Sequence, residues 1–190
     1  MEMDYRKALA DKKRIVIKIG TSSLTFPNGR LNLRRFEHIT NVISTLQQQG
    51  RQVVLVSSGA IAVGVGKKKN KKRPSTIPGK QAMAAIGQAI LAKIYRKFFD
   101  QHTIKVGQIL LTSDVITNVE KHKNAENTFA KLLEMGAVPI VNENDTVSTD
   151  EIEIGDNDTL SAMVASICKA DLLIILSDID GFFDKDPRKH

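Results

Sequence analysis

The sequence predicts an α/β fold: a mostly parallel sheet sandwiched between helices. Three observations predict it. Five short runs rich in Ile, Val and Leu lack strict alternation, as strands covered on both faces do. Segments of helical period separate them, and strands alternating with helices give parallel pairs joined by right-handed crossovers. The 190 residues, 42% hydrophobic and 26% charged, suit one globular domain rather than a disordered chain, a collagen repeat or a disulfide scaffold.

The first run is Arg14–Ile19. Behind it, Pro27-Asn28-Gly29 within Ser23–Leu31 is a turn signal. Leu33, Phe36, Ile39, Val42, Ile43 and Leu46 then recur at helical spacing, and Gly50 is a natural stop. The second run, Gln52–Ser57, leads through Ser-Ser-Gly-Ala into an apolar helix. Met83, Ile86, Ile90, Ile94 and Phe98 mark the next helix, before the run Val106–Leu111. A weaker helix carries Thr128, Leu132 and Leu133 and closes at Gly136, ahead of the run Val138–Asn142. Val147–Ile154 alternates loosely, as a hairpin would. Leu160, Met163, Val164 and Ile167 mark the last helix, and Leu172–Ser177 is the fifth run.

The lone cysteine, Cys168, lies beside the last apolar stripe, where packing is its simplest role; it cannot form an internal disulfide. No apolar run approaches the roughly 18 residues of a membrane helix, and Met1–Arg14 is charged, unlike a signal peptide. A cytoplasmic protein without a membrane partner is expected. The net charge of +7 is local, because Lys67, Lys68, Lys69, Lys71, Lys72 and Arg73 supply six of those charges within one loop. That loop has no aromatic neighbours for base stacking, which argues against nucleic acid; a solvated loop or an attractor of anionic ligands remains open.

Chemistry belongs at the carboxyl ends of the strands. Four of those ends are polar or glycine-rich: Lys18-Ile19-Gly20-Thr21-Ser22, Ser57-Ser58-Gly59-Ala60, Asn142-Glu143-Asn144-Asp145 and Ser177-Asp178-Ile179-Asp180. A turn of small residues entering a helix offers backbone N–H groups to an anion. Gly20 permits close approach of backbone. Lys18, inside an apolar run, needs either a core carboxylate or an anionic ligand. Asn157 and Asp158 open the last helix, either as caps or as ligand contacts. Neither G-x-x-x-x-G-K-[ST] nor G-x-G-x-x-G occurs. His38, His102, His122 and His190 are scattered without metal-ligand spacing, so no metal-binding residues are assigned.

Taken in order, Ile17-Lys18-Ile19-Gly20-Thr21-Ser22, Ser57-Ser58-Gly59-Ala60-Ile61-Ala62 and Gly181 through Asp186-Pro187-Arg188 resemble the amino-acid kinase family. Lys80-Gln81, Ala84-Ala85-Ile86-Gly87-Gln88, Gly107-Gln108-Ile109-Leu110-Leu111-Thr112, Val141-Asn142-Glu143-Asn144-Asp145 and Gly155-Asp156-Asn157-Asp158 are similar to its glutamate-phosphorylating branch. The resemblance implies ATP-dependent phosphorylation of the side-chain carboxylate of L-glutamate to L-glutamyl 5-phosphate, the first step of proline biosynthesis. It implies that Lys18 contacts the transferring phosphate, that Ser58, Asp145 and Asn157 hold glutamate, and that Asp158 organises lysines at the phosphates. Lys18, Gly20, Ser177 and Asp178 would face the nucleotide, with Mg2+ held mainly by ATP phosphates. Proline as a feedback inhibitor and a homo-oligomeric state are further implications. The alternatives are a related kinase acting on another acidic substrate, and a non-catalytic nucleotide- or nucleic-acid-binding fragment.

The family pattern continues with more sheet, a Thr-Gly-Gly-Met segment and a second phosphate-contacting lysine. Residues 1–190 are therefore expected to be the N-terminal, glutamate-binding portion of the domain. That portion carries only the start of the truncated nucleotide-binding part and no C-terminal RNA-binding-like domain. The chemistry itself is undemanding of a base, since a side-chain carboxylate with a pKa of about 4.3 is already ionised at neutral pH. Catalysis then rests on positioning and on cationic stabilisation of the transferred group.

Overall fold

The computed structural model describes residues 5–26, 30–67, 73–148 and 157–177. Helix α1 (Tyr5–Ala10) precedes β1 (Arg14–Ile19), and α2 (Thr21–Leu24) and α3 (Leu33–Gln48) lead to β2 (Gln52–Ser57). Helices α4 (Ala60–Gly66) and α5 (Ile77–Asp100) precede β3 (Val106–Leu111). A 3-10 turn at Ser113–Val115 and α6 (Val119–Glu134) lead to β4 (Val138–Glu143), and α7 (Asp158–Ile167) leads to β5 (Leu172–Leu176). The predicted strands are thus displaced by one residue at most, at the ends of β4 and β5. The Pro27-Asn28-Gly29 turn, most of the Val147–Ile154 segment, the loop centre 68–72 and Gly181–Arg188 lie outside the described residues.

Described strands pair in parallel in the order β3-β4-β2-β1-β5. Connections from β1 to β2 and from β2 to β3 run towards one edge and carry α3, α4 and α5. Connections from β3 to β4 and from β4 to β5 run back and carry α6 and α7. Direction and face reverse together, as a single crossover handedness demands. Two apolar layers result. Ile15, Ile17, Val53, Leu55 and Ile140 pack with Phe36, Ile43, Leu91, Tyr95 and Phe99. Val16, Val54, Val56 and Val141 pack with Phe129, Leu133, Leu160, Val164 and Cys168. Cys168 is buried there as a free thiol.

Coverage is complete over β1, β2 and β4 but not over the edge strands. The expectation of strands buried on both faces fails for β3 and β5, whose residues are mostly half-buried or exposed. An edge strand has a neighbour on one side only, so the flanking helices overlap it less.

Helix boundaries follow local chemistry. Asn32, Thr76 and Asn118 each accept a hydrogen bond from the backbone N–H three residues on, opening α3, α5 and α6. Gly50 and Gly136 take positive φ just past α3 and α6. In α5 the apolar stripe that marks the helix lies on the core side, Phe98 buried and Met83, Ile90 and Ile94 packed against the core, except at Ile86. Ile86 is 48% exposed, while Ala84, Gly87, Leu91, Tyr95 and Phe98 face the core. The reason is close packing against α4: a Cβ on Gly87 would stand 1.7 Å from the Ala60 carbonyl oxygen, and one on Gly64 2.0 Å from that of Met83. Only glycine lets these backbones touch. Among the described residues, no helix is long and apolar enough to cross a membrane.

Candidate active site at the strand carboxyl ends

The connections leaving β2 and β4 depart on opposite faces of the sheet, although the two strands are neighbours. In open parallel sheets such a divergence marks a crevice at the strand carboxyl ends, the usual ligand position. The backbone bends sharply there. Ser58 N–H donates to the Ile19 carbonyl at 3.2 Å, and Gly59 follows with φ +94° before α4. The first bond of α4 runs from Val63 N–H to the Gly59 carbonyl. The N–H groups of Ala60, Ile61 and Ala62 therefore precede the helical ladder.

Asn157 reaches into this crevice from the start of α7 and is fully buried. It holds the N-cap position without a side-chain capping bond, which removes the capping-only interpretation. Its amide Nδ2 instead shares its hydrogens among the Ser57 carbonyl at 3.1 Å, Ser58 Oγ at 3.0 Å and Asn142 Oδ1 at 2.9 Å. Asn142 in turn accepts from Glu143 N–H at 2.9 Å and donates to Gln88 Oε1 at 2.9 Å. One chain of amides thus joins α5, β4, α7 and the turn after β2. Asn157 Oδ1 is left buried with no hydrogen-bond partner among the described residues.

Asp145 lies three residues beyond Asn142 and is 4% exposed, and its Oδ1 likewise lacks a hydrogen-bond partner among the described residues. Burial pushes its carboxyl up to about 6, and the neighbouring Glu143 adds to the rise. Glu143 itself accepts a hydrogen bond from Ser148 Oγ. A buried acidic oxygen without a donor is costly unless a cationic ligand supplies one.

Lys18 provides the opposite charge. It lies on the face of β1 that α7 covers, is 5% exposed, and its Nζ contacts Asp158 Oδ1 at 2.5 Å. The Asp158 side chain is 42% exposed, so the pair opens to solvent. Gly20 borders it: a Cβ there would come within 3.7 Å of Lys18 Nζ. Lys18, Gly20 and Asp158 therefore form one group, and Ser58 and Asn157 another. Ser177 follows β5 and is exposed, and Asp178 lies outside the described residues.

The sequence of such motifs matches a known family over most of the chain: residues 13–190 fit the family model described as the amino acid kinase family. The chain belongs to that family. Among its relatives, a glutamate 5-kinase from Clostridium perfringens (strain 13 / Type A) is 57% identical over 187 residues, covering 96% of this chain and 70% of the relative. Glutamate 5-kinases from Thermoanaerobacter sp. (strain X514) and Clostridium acetobutylicum are each 53% identical. They cover 92% and 95% of this chain, and 47% and 68% of their own lengths. The chain thus spans between about half and seven tenths of the relatives it matches.

In this kinase-family chain the site has members to which the sequence reading gave no role: Ser57, Gln88 and Asn142, which stood within its motifs, and Tyr95, which did not. Asn142 carried a usable signal, since a polar residue ending a fully buried strand must find a hydrogen-bond partner. Gln88 closed a motif of the family resemblance, and Tyr95 carried no signal. They sit on a helix read by its apolar period, and only the crossing of α5 over the sheet brings them to the strand ends. Among the described residues, no three His, Cys, Asp or Glu side chains gather as metal ligands would.

Proposed function

We propose that the chain, within its kinase, phosphorylates the side-chain carboxylate of L-glutamate with ATP to give L-glutamyl 5-phosphate, the entry to proline biosynthesis. One observation carries this reading. Two buried acceptor oxygens without donors, Asp145 Oδ1 and Asn157 Oδ1, share one end of the sheet with the buried cation Lys18. Acceptors suit an α-ammonium, and a cation suits a transferring phosphoryl group. The glutamate 5-kinase relatives support the same assignment.

In this scheme Ser58, Asp145 and Asn157 bind and orient glutamate, and Asp145 supplies the charge that meets its ammonium. Lys18 holds the transferred phosphoryl oxygens, Asp158 fixes the direction of the Lys18 side chain, and Gly20 keeps the space beside the ammonium clear. Ser177 and Asp178 are assigned to the nucleotide side. ATP brings the phosphoryl group, with Mg2+ held chiefly by its phosphate oxygens. The acceptor carboxylate is already ionised, so no residue of the chain need remove a proton. Proline inhibition, a homo-oligomeric state, a cytoplasmic setting and the division of the domain into a glutamate-binding portion with the start of a nucleotide-binding portion belong to the same proposal.

A coupled ADP-release assay with glutamate, aspartate and N-acetylglutamate tests it. Glutamate alone should be turned over, because aspartate is too short and the acetyl derivative lacks the ammonium that Asp145 would meet. Equal rates with N-acetylglutamate would overturn the assignment of Asp145.

A further inference from the structure

The turn that carries Ser58 is held from both faces of the sheet. Asn157 grips it from the α7 side. On the other side Tyr95, fully buried in α5, places its hydroxyl 2.9 Å from Ser57 Oγ. Ser57 Oγ lies 3.4 Å from the Ser58 carbonyl and donates to it. A serine hydroxyl has one proton. If that proton serves the Ser58 carbonyl, Ser57 Oγ accepts from Tyr95, and the donor order runs Tyr95 to Ser57 to Ser58. The Tyr95 ring is fixed in turn by Phe36, with centroids 5.1 Å apart and planes tilted by 59°. Burial raises the phenol far above its ordinary value, so it stays protonated and able to donate.

We propose that Tyr95 is a positioning residue for the substrate site: its hydroxyl, through Ser57, sets the Ser58–Gly59 peptide so that Ser58 Oγ meets Asn157 in the crevice. This rests on the glutamate reading only for the identity of the ligand. The peptide in question carries Gly59 at φ +94°, a conformation that the β2 ladder does not itself enforce. Tyr95 never touches the ligand in this arrangement; it acts through the backbone.

Tyr95→Phe removes one oxygen and keeps the ring packing. Two measurements on the whole chain are read separately. Amide hydrogen exchange at Ser58 and Gly59 should quicken about tenfold, and the dissociation constant for glutamate by calorimetry should rise about tenfold, with that for ATP changed less than twofold. Ser57→Ala should reproduce both effects, and the double variant should add nothing further, because both substitutions cut one relay. Unchanged exchange at Ser58 and Gly59 in Tyr95→Phe would overturn the positioning role. So would equal weakening of glutamate and ATP. If the unsubstituted chain takes up no glutamate, the substrate reading falls, while the exchange result still decides the role of Tyr95.

Discussion

Asp145→Asn should make the free protein more stable while weakening its grip on glutamate. The substitution keeps the shape of a buried carboxylate and removes its charge. The Asp145 carboxyl rises from an ordinary 3.8 to about 6, first through burial and then through Glu143. The folded state therefore binds a proton more tightly than the unfolded chain. Between those two values, stability falls as pH rises, and above the upper one the full cost of an ionised Asp145 is present. At about 1.36 kcal/mol per tenfold change in proton affinity, that cost is about 3 kcal/mol at pH 7.5 and about 0.5 kcal/mol at pH 4. Urea unfolding of both proteins at pH 4, 5, 6 and 7.5 measures it. The stabilisation conferred by Asp145→Asn should grow steadily along that series. A difference that stays flat with pH, or a variant less stable at pH 7.5, would overturn this account of the Asp145 carboxyl.

The ligand side of the same prediction has the opposite sign. An ammonium beside Asp145 restores its ionised form, so glutamate binding at pH 6 should release about half a proton. Calorimetry in buffers of different ionisation enthalpy counts it. In Asp145→Asn the release should vanish and the affinity for glutamate should drop about 10- to 100-fold, the worth of a charge-assisted hydrogen bond. Proton release that persists in the variant would place the titrating group elsewhere.

Lys18→Ala should lower turnover about 10²- to 10³-fold, and circular dichroism should show the fold intact, since Asp158 is left 42% exposed to water. Normal kcat would remove Lys18 from the chemistry. Asn157→Asp turns a donor facing three acceptors into an acceptor facing them, and denaturant unfolding should show a loss of about 3 kcal/mol or more. A neutral result would mean that the amide network is not held as described. Gly87→Ala should cost about 1–3 kcal/mol or more, because its Cβ would meet the Ala60 carbonyl and push α4 off α5. An unchanged midpoint would show that these helices can separate freely.

The architecture and the chemical character of the site were legible in the residues alone. Period and composition located every described strand, because short runs of Ile, Val and Leu suit a sheet that helices flank. Glycines past α3 and α6 marked helix ends for a backbone reason that needs no tertiary contact. The polar strand ends pointed to Lys18, Gly20, Ser58 and Asp145, the start of the last helix to Asn157 and Asp158, and motif resemblance suggested the substrate. Who touches whom was settled by packing in three dimensions. That the Asn157 amide turned away from capping its own helix depended on Ser57, Ser58 and Asn142, which lie between 15 and 100 positions away in the chain. That Gly87 turned inward and the larger Ile86 outward depended on Gly87 meeting Ala60. Local periodicity reports the shape of one element, whereas a hydrogen-bond network at a sheet's edge is fixed by the order in which strands are laid down. Here that order put β4 beside β2 with their helices on opposite faces, and the crevice between them belongs to neither strand's sequence.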